Sequence, residues 1–266
     1  MTRVILNFSI LRGLTEPPML HGFVPSRRPS NPVHYAPPIS PLFAPRGDVS
    51  PLSRKCSEAT YQIISEMHDL TRTFVARWNY TEDMYSRTSE SQLASYDAHM
   101  QQIYTRLLMR HSTEDHGTPD WVYECCRLAA LIYCRSIVQG VPFSDSTNVL
   151  YGRSSGTDTS HMTLISALRS ALEHTERRDF WGDLRGVLFW VTLVGGAASW
   201  SSSGLSYGAG QGMEALAAWE KKCFALWTVS SSLAHGFEHA GATVHAQRMM
   251  LQVQQLINLK RGMLAH

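Results

Sequence analysis

The sequence predicts an all-α fold: an irregular multi-helix bundle around two apolar central helices, preceded by a disordered, proline-rich tail. Three observations carry this. Ten of the twelve prolines fall between Pro17 and Pro51, and each removes a backbone donor and disfavours helix just before it. From residue 53 onward, apolar side chains recur three and four positions apart. No alternating strand of any length and no internal repeat appears. The 266 residues therefore divide into a basic, proline-rich tail or linker over 1–52 and a helical domain over 53–266.

The first helix is marked by Tyr61, Ile64, Met67, Leu70, Thr71, Phe74 and Trp78, which form one apolar stripe. Leu93, Tyr96, Met100, Ile103 and Leu107 repeat the pattern in a second. Thr118-Pro119-Asp120 opens a third, with an N-cap hydroxyl, proline at the first helical position and an acid near the positive end of the dipole. This helix, Trp121 to Gln139, is apolar on nearly every face and stops at Gly140, so it belongs at the centre of the domain. A fourth runs from about Asp158 to His174 with Met162, Ile165, Leu168 and Leu172 inward. The fifth, Asp183 to Ala198, is again nearly all apolar, and its Gly195-Gly196 pair admits a neighbouring backbone. Trp200 to Gly212 is Ser/Gly-rich and reads as a loop. Helix resumes near Met213, passes through Ala217, Phe224 and Trp227, and ends in Val244–Leu259.

Hydrophobic residues make up 44% of the chain, enough for a sizeable core, while charged residues are only 17%. That deficit points to a heavily buried domain or an apolar partner surface. The net charge of +2 is unevenly spread: residues 1–55 hold seven Lys/Arg against Glu16 and Asp48, leaving 17 basic and 20 acidic residues in the remainder. A mildly acidic body excludes specific nucleic-acid binding by these helices. No apolar run reaches the length of a membrane span. The first fourteen residues lack the cleavage site of a signal peptide, and the prolines behind them spoil the amphipathic helix of a transit peptide. The five cysteines, Cys56, Cys125, Cys126, Cys134 and Cys223, are too few and too uneven for a disulfide framework and read as free thiols.

Several motifs suggest chemistry and fail on their context. His235-Gly236-Phe237-Glu238-His239 matches the inverted zinc-protease signature, but no Asp or Glu follows His239 to supply a third ligand, and His245 faces away on a continuous helix. Gly204-Leu205-Ser206-Tyr207-Gly208 and Gly152-Arg153-Ser154-Ser155-Gly156 both match the nucleophile elbow, without the strand that must precede it. Gly208-x-Gly210-x-Gly212 lacks the lysine of a phosphate loop. Cys125, Cys126 and Cys134 read as small buried residues, and Trp181, Phe189 and Trp190 as core packing. Glu124 and Arg127 pair with each other or across helices. No catalytic, cofactor-binding or metal-ligating residue is assigned, and no cofactor is expected.

The segment Tyr123-Glu124-Cys125-Cys126-Arg127-Leu128-Ala129-Ala130-Leu131-Ile132-Tyr133 resembles the central helix of the fungal-specific transcription factor domain, the regulatory region C-terminal to binuclear zinc-cluster DNA-binding modules. Leu168-x-x-Ala171-Leu172 and the run from Trp181 to Ala198 look like its next two blocks, and Phe237-Glu238-His239 through Arg248-Met249 and Val253-Gln254 are similar to its last helices. The likeness spans roughly residues 57–260. It lacks the family's six-cysteine cluster, and Cys56 stands alone ahead of the core. The resemblance implies a non-enzymatic regulator, headless or truncated, that works through protein partners, a DNA-binding transcription factor or itself. It implies a nuclear location, with the cytoplasm as the alternative. The competing reading is a helical small-molecule-binding protein or enzyme that uses an apolar cavity between helices.

Overall fold

The computed structural model describes residues 2–24, 37–82, 90–113, 118–147, 150–151, 162–175, 181–200, 211–236 and 239–264. The fold is all-α. In chain order the helices are α1 (Thr2–Arg12), α2 (Glu58–Glu82), α3 (Glu90–Leu108), α4 (Trp121–Gln139), the short α5 (Phe143–Ser146), α6 (Leu164–His174), α7 (Arg185–Ser199), α8 (Gln211–Gly236) and α9 (Ala240–Leu264). Between α5 and α6, Leu150–Tyr151 and Met162–Thr163 form a two-residue antiparallel pair, the one ladder among the described residues.

Helix α4 is central, as its all-round apolar sequence requires: it packs against α2, α3, α6 and α7, and residues 124–134 are all buried. Helix α7 packs on α8, α1 and α4, so the α4–α7 seam joins the two halves of the core. The stripe on α2 faces inward through Ile64, Met67, Leu70, Phe74 and Trp78, and that on α3 through Met100, Ile103 and Leu107. The cap of α4 is not Thr118 but Asp120. Its extended backbone precedes the first turn and its carboxylate accepts the Tyr123 amide at 2.9 Å. At the other end Gly140 takes φ +66°, the left-handed closure that glycine adopts freely. Helix α6 begins at Leu164 under a Thr163 cap, later than the pattern from Asp158 suggested, and residues 152–161 lie outside the described ones.

The expectation of a solvated tail over 1–52 is corrected for both of its described parts, while residues 25–36 lie outside them. Helix α1 is a core element: Leu6 and Ile10 are fully buried, and it packs on α7, α8 and α9. Gln247 and Gln254 of α9 donate their amides to the carbonyls of Arg3 and Ile10 at 2.9 and 3.0 Å. Arg248 adds an ion pair to Glu16 at 2.9 Å and a bond to the Leu20 carbonyl. An eleven-residue helix is marginal alone, so its stability comes from this docking and leaves little signal in its own sequence. Residues 37–52 form a strap that buries Ile39, Leu42, Val49 and Leu52. Proline keeps such a strap extended without preventing it from packing. A Cβ on Gly186 would lie 2.4 Å from the Ile39 carbonyl oxygen, so the strap crosses the start of α7 where only glycine fits. The Gly195-Gly196 pair admits side chains rather than backbone: Phe224 of α8 lies on the first, Leu11 of α1 on the second.

Candidate functional site

Glu124 and Arg127, one turn apart on α4, pair with each other inside the protein. Arg127 donates through Nε to Oε2 at 3.0 Å and through Nη2 to Oε1 at 2.6 Å. The Thr113 amide and Ser112 hydroxyl also donate to Glu124, at 3.1 and 3.2 Å. Burial by itself would raise the carboxyl pKa. The bonds and charge of Arg127, with the Thr113 and Ser112 donors, outweigh it and hold the pKa below the ordinary glutamate value. A carboxylate so surrounded is spent on fixing the 111–113 segment to α4.

The other motifs fall as follows. Cys125, Cys126 and Cys134 are fully enclosed, and burial pushes their thiols well above the ordinary value, which makes them inert. Cys134 donates to the Met67 sulfur at 3.6 Å. Trp190 sits edge-on to Tyr133, with ring centres 6.0 Å apart, and Trp181 donates to the Thr175 hydroxyl at 3.0 Å. The helix expected to run on from His235 is interrupted before His239: His235 belongs to α8, which ends at Gly236, and His245 to α9, which begins at Ala240, where the Thr243 amide donates to the His239 carbonyl. Phe237 and Glu238 lie outside the described residues, while His245 meets the strap through Phe43, with ring centres 5.3 Å apart. Both Gly-x-Ser-x-Gly segments also fall outside the described residues apart from their flanks. No cluster of three His, Cys, Asp or Glu suited to a metal occurs among the described residues, and no described helix is long and apolar enough to cross a membrane.

The surface that stands out is α8. Its buried arc is largely polar: Glu220, Thr228, Ser231 and Ser232, with Phe224 as the apolar member. Thr228 donates to the Thr192 carbonyl of α7 at 2.9 Å, and Ser166 of α6 donates to Glu220 at 2.6 Å. Arg169 Nε is 3.9 Å from Glu220, beyond hydrogen-bond reach, and Arg169 pairs with Glu173 instead. Burial therefore dominates and raises the Glu220 pKa, with Ser166 and Arg169 only partly opposing it. The outer arc carries large apolar side chains, with Lys222 and Ser230 exposed among them. Leu216 is 43% exposed, Trp219 55%, Leu226 65% and Leu233 41%, with Cys223 half-buried between them. With Cys223 and Ser230 included, the positions 216, 219, 223, 226, 230 and 233 advance by three and four in strict alternation, the period of a coiled-coil seam. Ala217, Phe224 and Trp227 mark the helix in the sequence but not this outer stripe, although its spacing is equally present there.

Compared with known proteins, the chain matches no family model, and no characterised protein or solved structure is significantly similar to it.

Proposed function

We propose that this chain is a non-enzymatic, helical interaction domain of a fungal-type transcription regulator, acting in the nucleus through protein contact and carrying no DNA-reading surface of its own. The regulatory part of the reading rests on the resemblance of the α4 and α7 segments. The observation that carries the interaction is the exposed heptad stripe of α8, an arc whose polarity is inverted relative to an ordinary surface helix.

The partner is a second copy, with the two α8 helices antiparallel. An isologous contact requires a self-complementary surface, and antiparallel pairing brings Leu216 against Leu233, Trp219 against Ser230 and Cys223 against Leu226. The largest seam residue then faces the smallest. Parallel pairing would set Trp219 on Trp219 and Ser230 on Ser230, crowding one layer and leaving a void in the other. The seam is about 26 Å long at ~1.5 Å per residue, which places it among small, exchanging interfaces. Sedimentation velocity across the micromolar range tests the reading. A concentration-dependent dimer that Leu226→Lys returns to monomer is expected. A wild-type monomer throughout, or a dimer indifferent to Leu226→Lys, overturns it.

A further inference from the structure

Between the strap and α2 the chain comes to the surface. Ser53 to Ala59 are all exposed apart from the half-buried Cys56. Within this stretch Arg54-Lys55-Cys56-Ser57 sets two cations three and two positions ahead of a serine. Both are open to solvent, although Lys55 also pairs with Asp183, just ahead of α7, at 2.7 Å. Protein kinases select substrates by charge patterns of this kind. A groove lined with carboxylates attracts the basic side chains and so brings the hydroxyl to the reacting centre.

The hydroxyl in question joins two helices. Ser57 Oγ accepts the Thr60 amide at 3.3 Å, which caps α2, and donates to Asp120 Oδ2 at 3.1 Å. A serine has one hydroxyl proton. With that proton on the carboxylate, the Thr60 hydroxyl is the donor in its own 2.8 Å contact with Ser57. Asp120 is in turn the cap of α4, its other oxygen taking the Tyr123 amide at 2.9 Å. A single exposed proton therefore links the cap of α2 to the cap of the central helix.

We infer that Ser57 is a phosphorylation site for a kinase that recognises basic residues ahead of the serine, and that the phosphate parts the two caps. In the reaction Ser57 Oγ bonds to the γ-phosphorus of ATP. The bond from that phosphorus to the bridging oxygen breaks, ADP leaves, and the hydroxyl proton is released. The product carries about −1.5 to −2 charges at neutral pH. They stand where a proton had been donated to a carboxylate, so a donor is lost and like charges are opposed. The free amides that open α2 still favour the phosphate, so the cost falls on Asp120 and the start of α4.

The test is phosphorylation of the full chain by the catalytic domain of an Arg-x-x-Ser-directed kinase with MgATP, read by peptide mapping. Mapping is needed because Ser30 follows Arg27-Arg28 at the same spacing. Ser57 is expected to take up about one phosphate per chain, and to do so about tenfold more slowly in Arg54→Gln. Arg54 is exposed, so that variant should keep the unmodified Tm. The phosphorylated wild type should melt about 3 °C below the unmodified chain. Asp120→Asn keeps a capping side chain but removes the opposing charge, so its Tm should be the same with and without the phosphate. No phosphate on Ser57, a rate indifferent to Arg54→Gln, a wild-type Tm that phosphorylation leaves unmoved, or an equal drop in Asp120→Asn overturns the assignment. None of these outcomes bears on dimerisation through α8, whose readout is sedimentation.

Discussion

Helices α4 and α8 make opposite uses of similar material. Both are rich in apolar residues, and both bury a glutamate. In α4 the apolar side chains point every way into the core, and the buried Glu124 is met by a guanidinium, an amide and a hydroxyl. In α8 the inward arc holds Glu220, Thr228, Ser231 and Ser232, while leucines and Trp219 point out. Glu220 has a hydroxyl for company and its nearest guanidinium is out of bonding range. The difference teaches that apolar composition marks a helix for burial without saying by what. For α4 the burying partner is the rest of the chain. For α8 it is the second copy proposed above, and the less complete solvation of Glu220 accompanies a helix not optimised for this domain's core alone.

The largest effect that would sharpen the comparison comes from α4. Arg127→Leu removes the guanidinium that pairs with the buried Glu124 carboxylate, so about 3–5 kcal/mol of stability should be lost. Urea unfolding at neutral pH measures it. A loss below about 1 kcal/mol would mean that the donors remaining around Glu124, Thr113 and Ser112 among them, solvate the carboxylate without Arg127. Next is the seam between α7 and α8. A Cβ at Gly195 would lie 2.2 Å from Phe224 Cε1, so Gly195→Ala must displace that ring or spread the helices, at about 1–3 kcal/mol. Chemical denaturation reads this too, and an unchanged midpoint would show that α8 sits more loosely on α7 than the contact implies.

The two glutamates predict opposite pH responses of smaller size. The Glu124 pKa is depressed in the folded state, so its contribution is present above the ordinary carboxyl range and is lost as pH falls through the folded value. The Glu220 pKa is raised, so the folded state is favoured while the group is protonated, and that advantage disappears as pH rises through the folded value. Glu220→Gln should therefore raise Tm at pH 7, with the gain shrinking as pH falls and vanishing below the ordinary glutamate range, where the carboxyl is protonated in both states. Glu124→Gln should lower Tm at pH 7. Matching signs for the two variants would break the comparison.

Much of this architecture was legible in the sequence because it is local. The boundaries of α4 follow from its capping residues and its closing glycine, and the inward stripes of α2 and α3 follow from their period. What was hidden depends on contacts between distant segments. Helix α1 is too short to announce itself, and its anchors, Gln247 and Gln254, lie more than two hundred residues away. The proline-rich strap reads as solvated until Gly186 is seen beneath Ile39. The α8 stripe is different: its heptad spacing was in plain view, but period alone does not say which of two arcs faces the core.

The smallest effect on folding, and the sharpest test of what covers α8, comes from the seam itself. Leu226 is 65% exposed, so Leu226→Cys should change the monomer's stability by no more than about 0.5 kcal/mol. Its effect on the dimer is chemical. In antiparallel pairing position 226 faces Cys223 of the second copy, so mild oxidation should join the two chains through a Cys223–Leu226→Cys disulfide, twice per dimer. Disulfides form only when the two Cα atoms approach within about 7 Å, so the yield reports register as well as contact. Wild-type Cys223 should resist coupling to its own counterpart, because antiparallel geometry offsets the two along the helix axis. Parallel pairing reverses both results: wild type would cross-link through Cys223 and the variant would gain nothing specific. Non-reducing electrophoresis with peptide mapping separates the cases. If neither protein cross-links at concentrations where the chain sediments as a dimer, the dimer uses another surface and the inverted polarity of α8 has a different cause.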